Sequence, residues 1–78
     1  MPKLPVVSGK AFFRLLVKYG CQLVSIRGSH HKVFNPITNK TSVVVIHAGQ
    51  DVDRGTFTSV LSQLGIDVSE FLGFIQNS

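Results

Sequence analysis

Apolar residues near the start of the chain repeat at the spacing of one helix face. Within residues 9–19 they occupy positions i, i+3, i+4 and i+7, and they are Phe12, Leu15, Leu16 and Tyr19. This period is typical of an amphipathic helix. Ser8 is a good N-cap, and Gly20 is placed to end the helix in a left-handed conformation. The pattern therefore predicts a first helix over residues 9–19.

Three later stretches carry the β-branched and apolar residues typical of strands, and we predict strands over residues 21–27, 30–34 and 41–47. Turn signals separate them, at residues 28–29 and at residues 35–40. The third stretch contains four consecutive β-branched residues, 43–46. A continuous apolar run favours a strand buried on both faces, so we expect the third strand to be central or well covered.

Two further helical patterns follow a predicted loop over residues 48–55. One helix is predicted to start at Thr56 and end at Gly65, with Phe57, Val60, Leu61 and Leu64 on its apolar face. Ser69 is the predicted N-cap of a short last helix. The fold class is therefore α+β, a single domain over residues 1–78. We expect the order α-β-β-β-α plus a short C-terminal helix, with a three-stranded antiparallel sheet packed against helices on one face.

Composition supports a folded domain with an anionic partner. Hydrophobic residues make up 44% of the chain and charged residues 15%, which excludes a disordered tail. Eight Lys and Arg against four Asp and Glu give a net charge of +4, which favours nucleic acid or an acidic protein as partner.

The cysteine content and the apolar runs bear on the cellular compartment. Cys21 is the single cysteine, so no internal disulfide can form, and we expect its side chain to be buried in the core. With no apolar run long enough for a membrane span and no signal peptide expected, we predict a cytoplasmic protein.

The candidate chemistry lies in residues 27–32, which read RGSHHK. Strand alternation puts His30 and Lys32 on one face, and His31 and Val33 on the other. Cleaving RNA without a metal needs a base with a pKa near neutrality to accept the proton of the attacking 2′-hydroxyl, and imidazole has such a pKa. Cations offset the charge that develops at phosphorus. We therefore favour His30 as the catalytic acid–base group.

Two other histidines are alternatives. His31 is either the catalytic group in place of His30 or a half-buried residue that packs against a helix. His47, at the predicted end of the third strand, is a possible second acid–base group or a structural histidine. Adjacent strand histidines point to opposite faces, and no carboxylate lies near them in sequence, so we expect no metal site and no cofactor.

Four residues are candidates for RNA binding: Ser29, Lys32, Arg27 and Lys10. Ser29 either donates a hydrogen bond to a phosphate or only forms the turn. Lys10 begins a row of cations with Arg14 and Lys18 along the first helix. This row is either a solvated helix face or an edge that faces phosphates.

The ordered set of landmarks resembles the HicA family of bacterial toxins. The landmarks are Ser8-Gly9-Lys10, Tyr19-Gly20, Arg27-Gly28-Ser29-His30-His31, Pro36, His47 with Gly49, Gly55-Thr56-Phe57, Leu64-Gly65-Ile66 and Glu70-Phe71. One feature departs from the family pattern, since Val45 stands where many relatives have proline. The second helix also lacks the lysine-rich start that true double-stranded-RNA-binding domains use, which disfavours binding of duplex RNA.

The resemblance implies a function, a fold and a partner. It implies a toxin of a type II toxin–antitoxin system, an endoribonuclease that cleaves mRNA, with the active-site histidine in the Gly-Ser-His-His motif. It also implies a fold like the double-stranded-RNA-binding domain and inhibition by a HicB-like antitoxin. We expect the toxin alone to be a monomer. The alternatives are a non-catalytic RNA-binding module on this fold, and a protein-interaction domain whose basic face meets an acidic protein.

Overall fold

Six elements follow one another along residues 4–77, the part of the chain that this computed structural model describes. They are α1 (Gly9–Tyr19), β1 (Gln22–Arg27), β2 (His30–Asn35), β3 (Lys40–Val45), α2 (Arg54–Gln63) and α3 (Val68–Gln76). The order confirms the predicted α+β fold with an additional C-terminal helix. Residues 1–3, on which part of the signal-peptide prediction rests, lie outside the described residues. No helix among residues 4–77 is long and apolar enough to cross a membrane.

The first helix has the predicted bounds because both of its ends are capped. Ser8 precedes it, and the Ala11 backbone N–H donates to Ser8 Oγ at 3.1 Å. Gly20 ends it with φ 130° and ψ 0°, and its N–H donates to the carbonyls of Leu16 and Val17. A residue with a side chain is strained in that conformation, so glycine is the suitable residue here.

The later helices begin at different residues from those predicted. Asp53 caps α2, which begins at Arg54 instead of Thr56. Asp67 caps α3 in place of Ser69, since its carboxylate accepts the backbone N–H of Glu70 at 3.1 Å. A carboxylate near a helix N-terminus also interacts favourably with the helix dipole. In both helices the N-cap is therefore an aspartate that lies before the predicted starting residue.

The sheet is antiparallel with strand order β1-β2-β3, so β2 is central. The prediction that the third strand is central or well covered is wrong, because β3 is an edge strand. Its valines divide between two faces: Val44 is buried, whereas Val43 and Val45 are 42% and 38% exposed on the opposite face. The strand also ends at Val45, two residues before His47. Four β-branched residues in a row therefore indicated β-structure but not burial on both faces.

The two faces of the sheet have different environments. One face packs against the helices through Val33, Asn35, Ser42 and Val44, and we call it the inner face. The other carries His30 and Lys32, and we call it the outer face. The burial of β2 alternates along the strand as predicted, with His30 and Lys32 exposed and Val33 buried.

Three phenylalanine rings form the centre of the core, one from each helix. The Phe12 and Phe57 rings stack with their centroids 4.7 Å apart, and Phe71 meets both rings edge-on at 6.1 and 5.9 Å. Aromatic pairs in these arrangements contribute about 0.5–1.5 kcal/mol each beyond their buried area. Cys21 is buried in this core, as predicted, and burial raises the pKa of its thiol. The helices therefore all pack on the inner face and leave the outer face to solvent.

Candidate active site

A tight turn between β1 and β2 brings Arg27 and His30 together. Gly28 and Ser29 form the turn, with Gly28 at φ 56°, and Arg27 pairs directly with His30 across the two strands. Directly paired residues of antiparallel strands project from the same face. The guanidinium of Arg27 and the imidazole of His30 are therefore neighbours on the outer face.

An open groove of about 490 Å³ lies beside this turn on the outer face. Its lining residues are Ser25, Arg27, His30, Lys32 and Val43. Lys32 lies in the middle, paired with Ser25 on β1 and with Val43 on β3. The lining combines two cations, an imidazole and a hydroxyl with one apolar wall, and it contains no carboxylate. Such a surface attracts an anion with an attached apolar group.

The structure places His31 on the opposite face of β2 from His30. Its ring is half-buried, with its centroid 5.2 Å from that of Phe13 on α1. Its Nδ1 lies 3.4 Å from the Ser29 carbonyl oxygen. Of the two roles considered for His31, packing against a helix agrees with these contacts.

The structure places His47 outside the lining of the groove, two residues after the end of β3 at Val45. Val45 pairs with His30, and together with His47 it lines a smaller concavity of about 140 Å³. Asp51 and Asp53 also line that concavity, so its charge differs from that of the groove. His47 is exposed, but it does not line the groove that contains His30.

Ser29 and Lys10 occupy positions outside the groove lining. Ser29 is half-buried, and its carbonyl oxygen accepts the backbone N–H of Ile46 at 2.8 Å. This bond joins the turn to the end of β3, which agrees with a turn role for Ser29. Lys10 is exposed on α1, where it lines a separate concavity.

A family model described as HicA toxin of bacterial toxin–antitoxin matches residues 9–66. The chain belongs to the HicA toxin family. The match runs from the first residue of α1 to just beyond α2, so every predicted site residue lies inside it. This HicA toxin gave no significant match to curated proteins or to solved structures.

Sequence reasoning missed two of the residues that line the groove of this HicA toxin, Ser25 and Val43. Val24 is an extra residue in a β-bulge between Leu23 and Ser25, and a bulge shifts the alternation of side chains along a strand. Val43 reaches the groove because it pairs with Lys32, a register set by the turn between β2 and β3. Neither the bulge nor the register has a signal in the sequence pattern.

Among residues 4–77 no group of three or more His, Cys, Asp and Glu side chains could hold a metal ion. Within the groove, His30 is the one residue with an imidazole among the lining residues. The chemistry available there is proton transfer by imidazole beside two fixed positive charges.

Proposed function

We propose that this HicA toxin is a metal-independent endoribonuclease that cleaves mRNA, with His30 as the catalytic acid–base group. The observation that supports the proposal is the groove in which an exposed imidazole lies between two cations, Arg27 and Lys32. RNA is the substrate that suits this arrangement, because its scissile group is a phosphodiester anion with a 2′-hydroxyl nucleophile beside it. Membership of the HicA family supports the role of toxin.

The proposed reaction is an intramolecular transesterification. The 2′-oxygen attacks phosphorus and loses its proton to neutral imidazole, and the bond from phosphorus to the 5′-oxygen breaks. The 5′-oxygen leaves with a proton, so the products are a 2′,3′-cyclic phosphate and a free 5′-hydroxyl. Arg27 and Lys32 stabilise the charge on the phosphorus oxygens as it develops. No redox step or added cofactor is needed for this balance.

The second proton transfer has two candidate groups. His47 is the stronger one, since it is exposed and follows Val45, the strand partner of His30, by two residues in the chain. His31 is the weaker one, since its ring packs against Phe13 on the inner face. Alternatively, His30 itself returns the proton that it has accepted. A single group in both steps makes a slow enzyme, which suffices for a toxin.

The proposed partner is a HicB-like antitoxin that covers the groove and blocks access of RNA to His30. An acidic surface on the antitoxin would complement the net charge of +4. We further propose that the toxin alone is a monomer and acts in the cytoplasm, where both mRNA and antitoxin are present.

Cleavage of RNA by the purified protein tests this proposal. We expect wild type to cut RNA in the presence of EDTA, to leave 2′,3′-cyclic phosphate ends, and to leave the same RNA uncut when its 2′-hydroxyls are methylated. His30→Ala should lose at least about 100-fold in rate. His47→Ala, measured beside it, tests whether His47 supplies the second proton transfer, and circular dichroism verifies the fold of both variants. Loss of activity in EDTA, or full activity of His30→Ala, would contradict the mechanism.

A non-catalytic RNA-binding module is the second candidate function. It is favoured by the presence of a single imidazole, with no second imidazole and no carboxylate, in the lining of the groove. This alternative predicts that folded wild type binds RNA without cutting it. It also predicts that His30→Ala binds as wild type does, because phosphate contacts come mainly from Arg and Lys.

A further inference from the structure

Three cations lie in a row on the solvent-facing side of α1, outside the groove. Lys10, Arg14 and Lys18 are all exposed, and together they line one shallow concavity of about 340 Å³. The opposite side of the helix buries Phe12 and Leu16 in the core. The helix sequence GKAFFRLLVKY contains no acidic residue, so no carboxylate within α1 neutralises the row.

The spacing of this α1 stripe (Lys10, Arg14 and Lys18) suits a regularly charged polymer. Four residues of an α-helix advance about 6 Å along its axis, so the stripe spans about 12 Å. A nucleic-acid strand carries one negative charge per nucleotide, so a strand that lies along α1 presents a phosphate to each of the three cations. Long Lys and Arg side chains adjust the position of their charged ends while their stems cover the apolar surface beneath them.

The stripe begins at the end of the sheet that carries His30. Gly9 packs directly against the backbone of β3, where an added Cβ would lie 2.9 Å from the Val45 carbonyl oxygen. Val45 pairs with His30, and Lys10 is the next residue after Gly9. Gly9 and Val45 also line the concavity of Asp51 and Asp53, so a strand that continues from the groove passes beside these two carboxylates before it reaches Lys10. From this end α1 runs along the inner face, so the stripe leads away from the groove toward Lys18.

We propose that the α1 stripe is a second RNA-binding surface, which holds the phosphates of the strand that continues beyond the groove. The proposal rests on the proposed function insofar as it takes RNA as the ligand. Contacts to phosphate position a nucleic acid without reading its sequence. The stripe therefore supplies affinity for long RNA, while His30 and its neighbours act on the scissile phosphodiester. An RNA too short to reach from the groove to Lys18 gains nothing from it.

The test compares two double variants of equal charge. Arg14→Gln/Lys18→Gln removes two cations of the stripe, and Lys40→Gln/Arg54→Gln removes two exposed cations from other elements. Each pair lowers the net charge from +4 to +2. The probe is a long single-stranded RNA with every 2′-hydroxyl methylated, which binds without being cut. Its affinity is measured over a series of salt concentrations, and circular dichroism verifies the fold.

We expect the stripe variant to reduce the slope of log K against log salt by about 1.4, or about 0.7 for each phosphate that the protein no longer neutralises. With equal affinities at 1 M salt, the corresponding loss of affinity is about 25-fold at 0.1 M salt. The control variant should lose less than half of this slope. Equal losses of RNA affinity in the two variants would show that net charge alone explains the effect, and this would overturn the proposal. Unchanged RNA binding by the stripe variant would overturn it too, and a loss of antitoxin affinity in that case would assign the stripe to an acidic protein.

The two proposals fail in different ways. If wild type never cuts RNA but the stripe variant binds the methylated probe weakly, the nuclease function is wrong and the second surface stands. If wild type cuts RNA and both double variants bind the probe equally, the nuclease function stands and the second surface is wrong.

Discussion

Gly9 and Val45 approach each other so closely that no side chain fits between them. A Cβ on Gly9 would lie 2.9 Å from the Val45 carbonyl oxygen and 3.2 Å from Cα of Ile46, both of them backbone atoms. Since Val45 pairs with His30, this contact fixes the first turn of α1 against the end of the sheet that carries the candidate catalytic residue.

Gly9→Ala should therefore destabilise the protein. The backbone atoms of β3 cannot rotate away from the new methyl group, so α1 and β3 must separate, at a cost of about 1–3 kcal/mol. Urea denaturation measures the change. Gly73→Ala in α3 is the matched control, because nothing lies within 4 Å of its added Cβ. That control should be neutral or stabilise by up to about 1 kcal/mol. Equal stability of the two variants would show that the contact is not tight.

Truncation of the two adjacent histidines should affect stability differently. His31→Ala loses the ring contact with Phe13 and should lower the free energy of unfolding by about 1 kcal/mol. His30→Ala removes an exposed ring and should change it by less than about 0.5 kcal/mol. Thermal or urea unfolding of both variants, with cleavage rates measured in parallel, separates the stabilising histidine from the reactive one. A larger loss of stability in His30→Ala would reverse these assignments.

Asn35→Ala should be among the more damaging polar substitutions. The buried Asn35 amide donates from Nδ2 to the Leu64 carbonyl oxygen at 2.9 Å and accepts the Ile37 N–H at 3.1 Å, so it ties the β2–β3 turn to the end of α2. Asn35→Ala loses both hydrogen bonds, each worth about 0.5–1.5 kcal/mol, although the Leu64 carbonyl oxygen keeps the Thr38 hydroxyl as a donor. Urea denaturation measures the loss. Asn39→Gly in the same turn should be neutral or stabilising, since Asn39 has φ 61°. Equal losses in both variants would indicate general fragility of the turn.

Acid should weaken the start of α2 through Asp53. The backbone N–H of Thr56 donates to the Asp53 carboxylate at 2.7 Å, and its hydroxyl donates at 3.0 Å, and these bonds lower the pKa of Asp53 below its ordinary 3.8. A carboxyl with a lower pKa in the folded state stabilises the protein above the unfolded-state pKa. This contribution is lost as the pH falls through the folded-state value.

Melting temperatures of wild type and Asp53→Asn between neutral pH and acid measure this effect. Asn is a good N-cap that does not titrate, so the variant should lose less stability than wild type as the pH falls below about 4. Asp53→Ser, a second cap without a charge, should behave as Asp53→Asn does. Parallel curves for all three proteins would show that the Asp53 carboxylate does not contribute to the acid dependence.

Much of the fold followed from local signals in the sequence. The bounds of α1 came from its apolar period and from Ser8 and Gly20, all of which act within a turn or two of the chain. The alternation along β2 correctly separated His30 and Lys32 from Val33, because that strand is regular over its whole length. The three cations of the α1 stripe were likewise evident from their spacing. These signals arise from residues that are close together in the chain, so the sequence pattern alone reveals them.

Strand order and the lining of the groove depend on contacts between residues far apart in the chain, so the sequence pattern did not reveal them. The run of valines in β3 did not reveal that β3 is an edge strand, because strand order depends on which strands pair. The groove acquired Ser25 through a bulge and Val43 through the register of β2 with β3. The sequence by itself determined the elements and most of the polar residues of the candidate site, since side-chain period and capping are local properties. Only the tertiary structure decided which residues share a surface with His30, because strand pairing and packing join parts of the chain that are far apart in sequence.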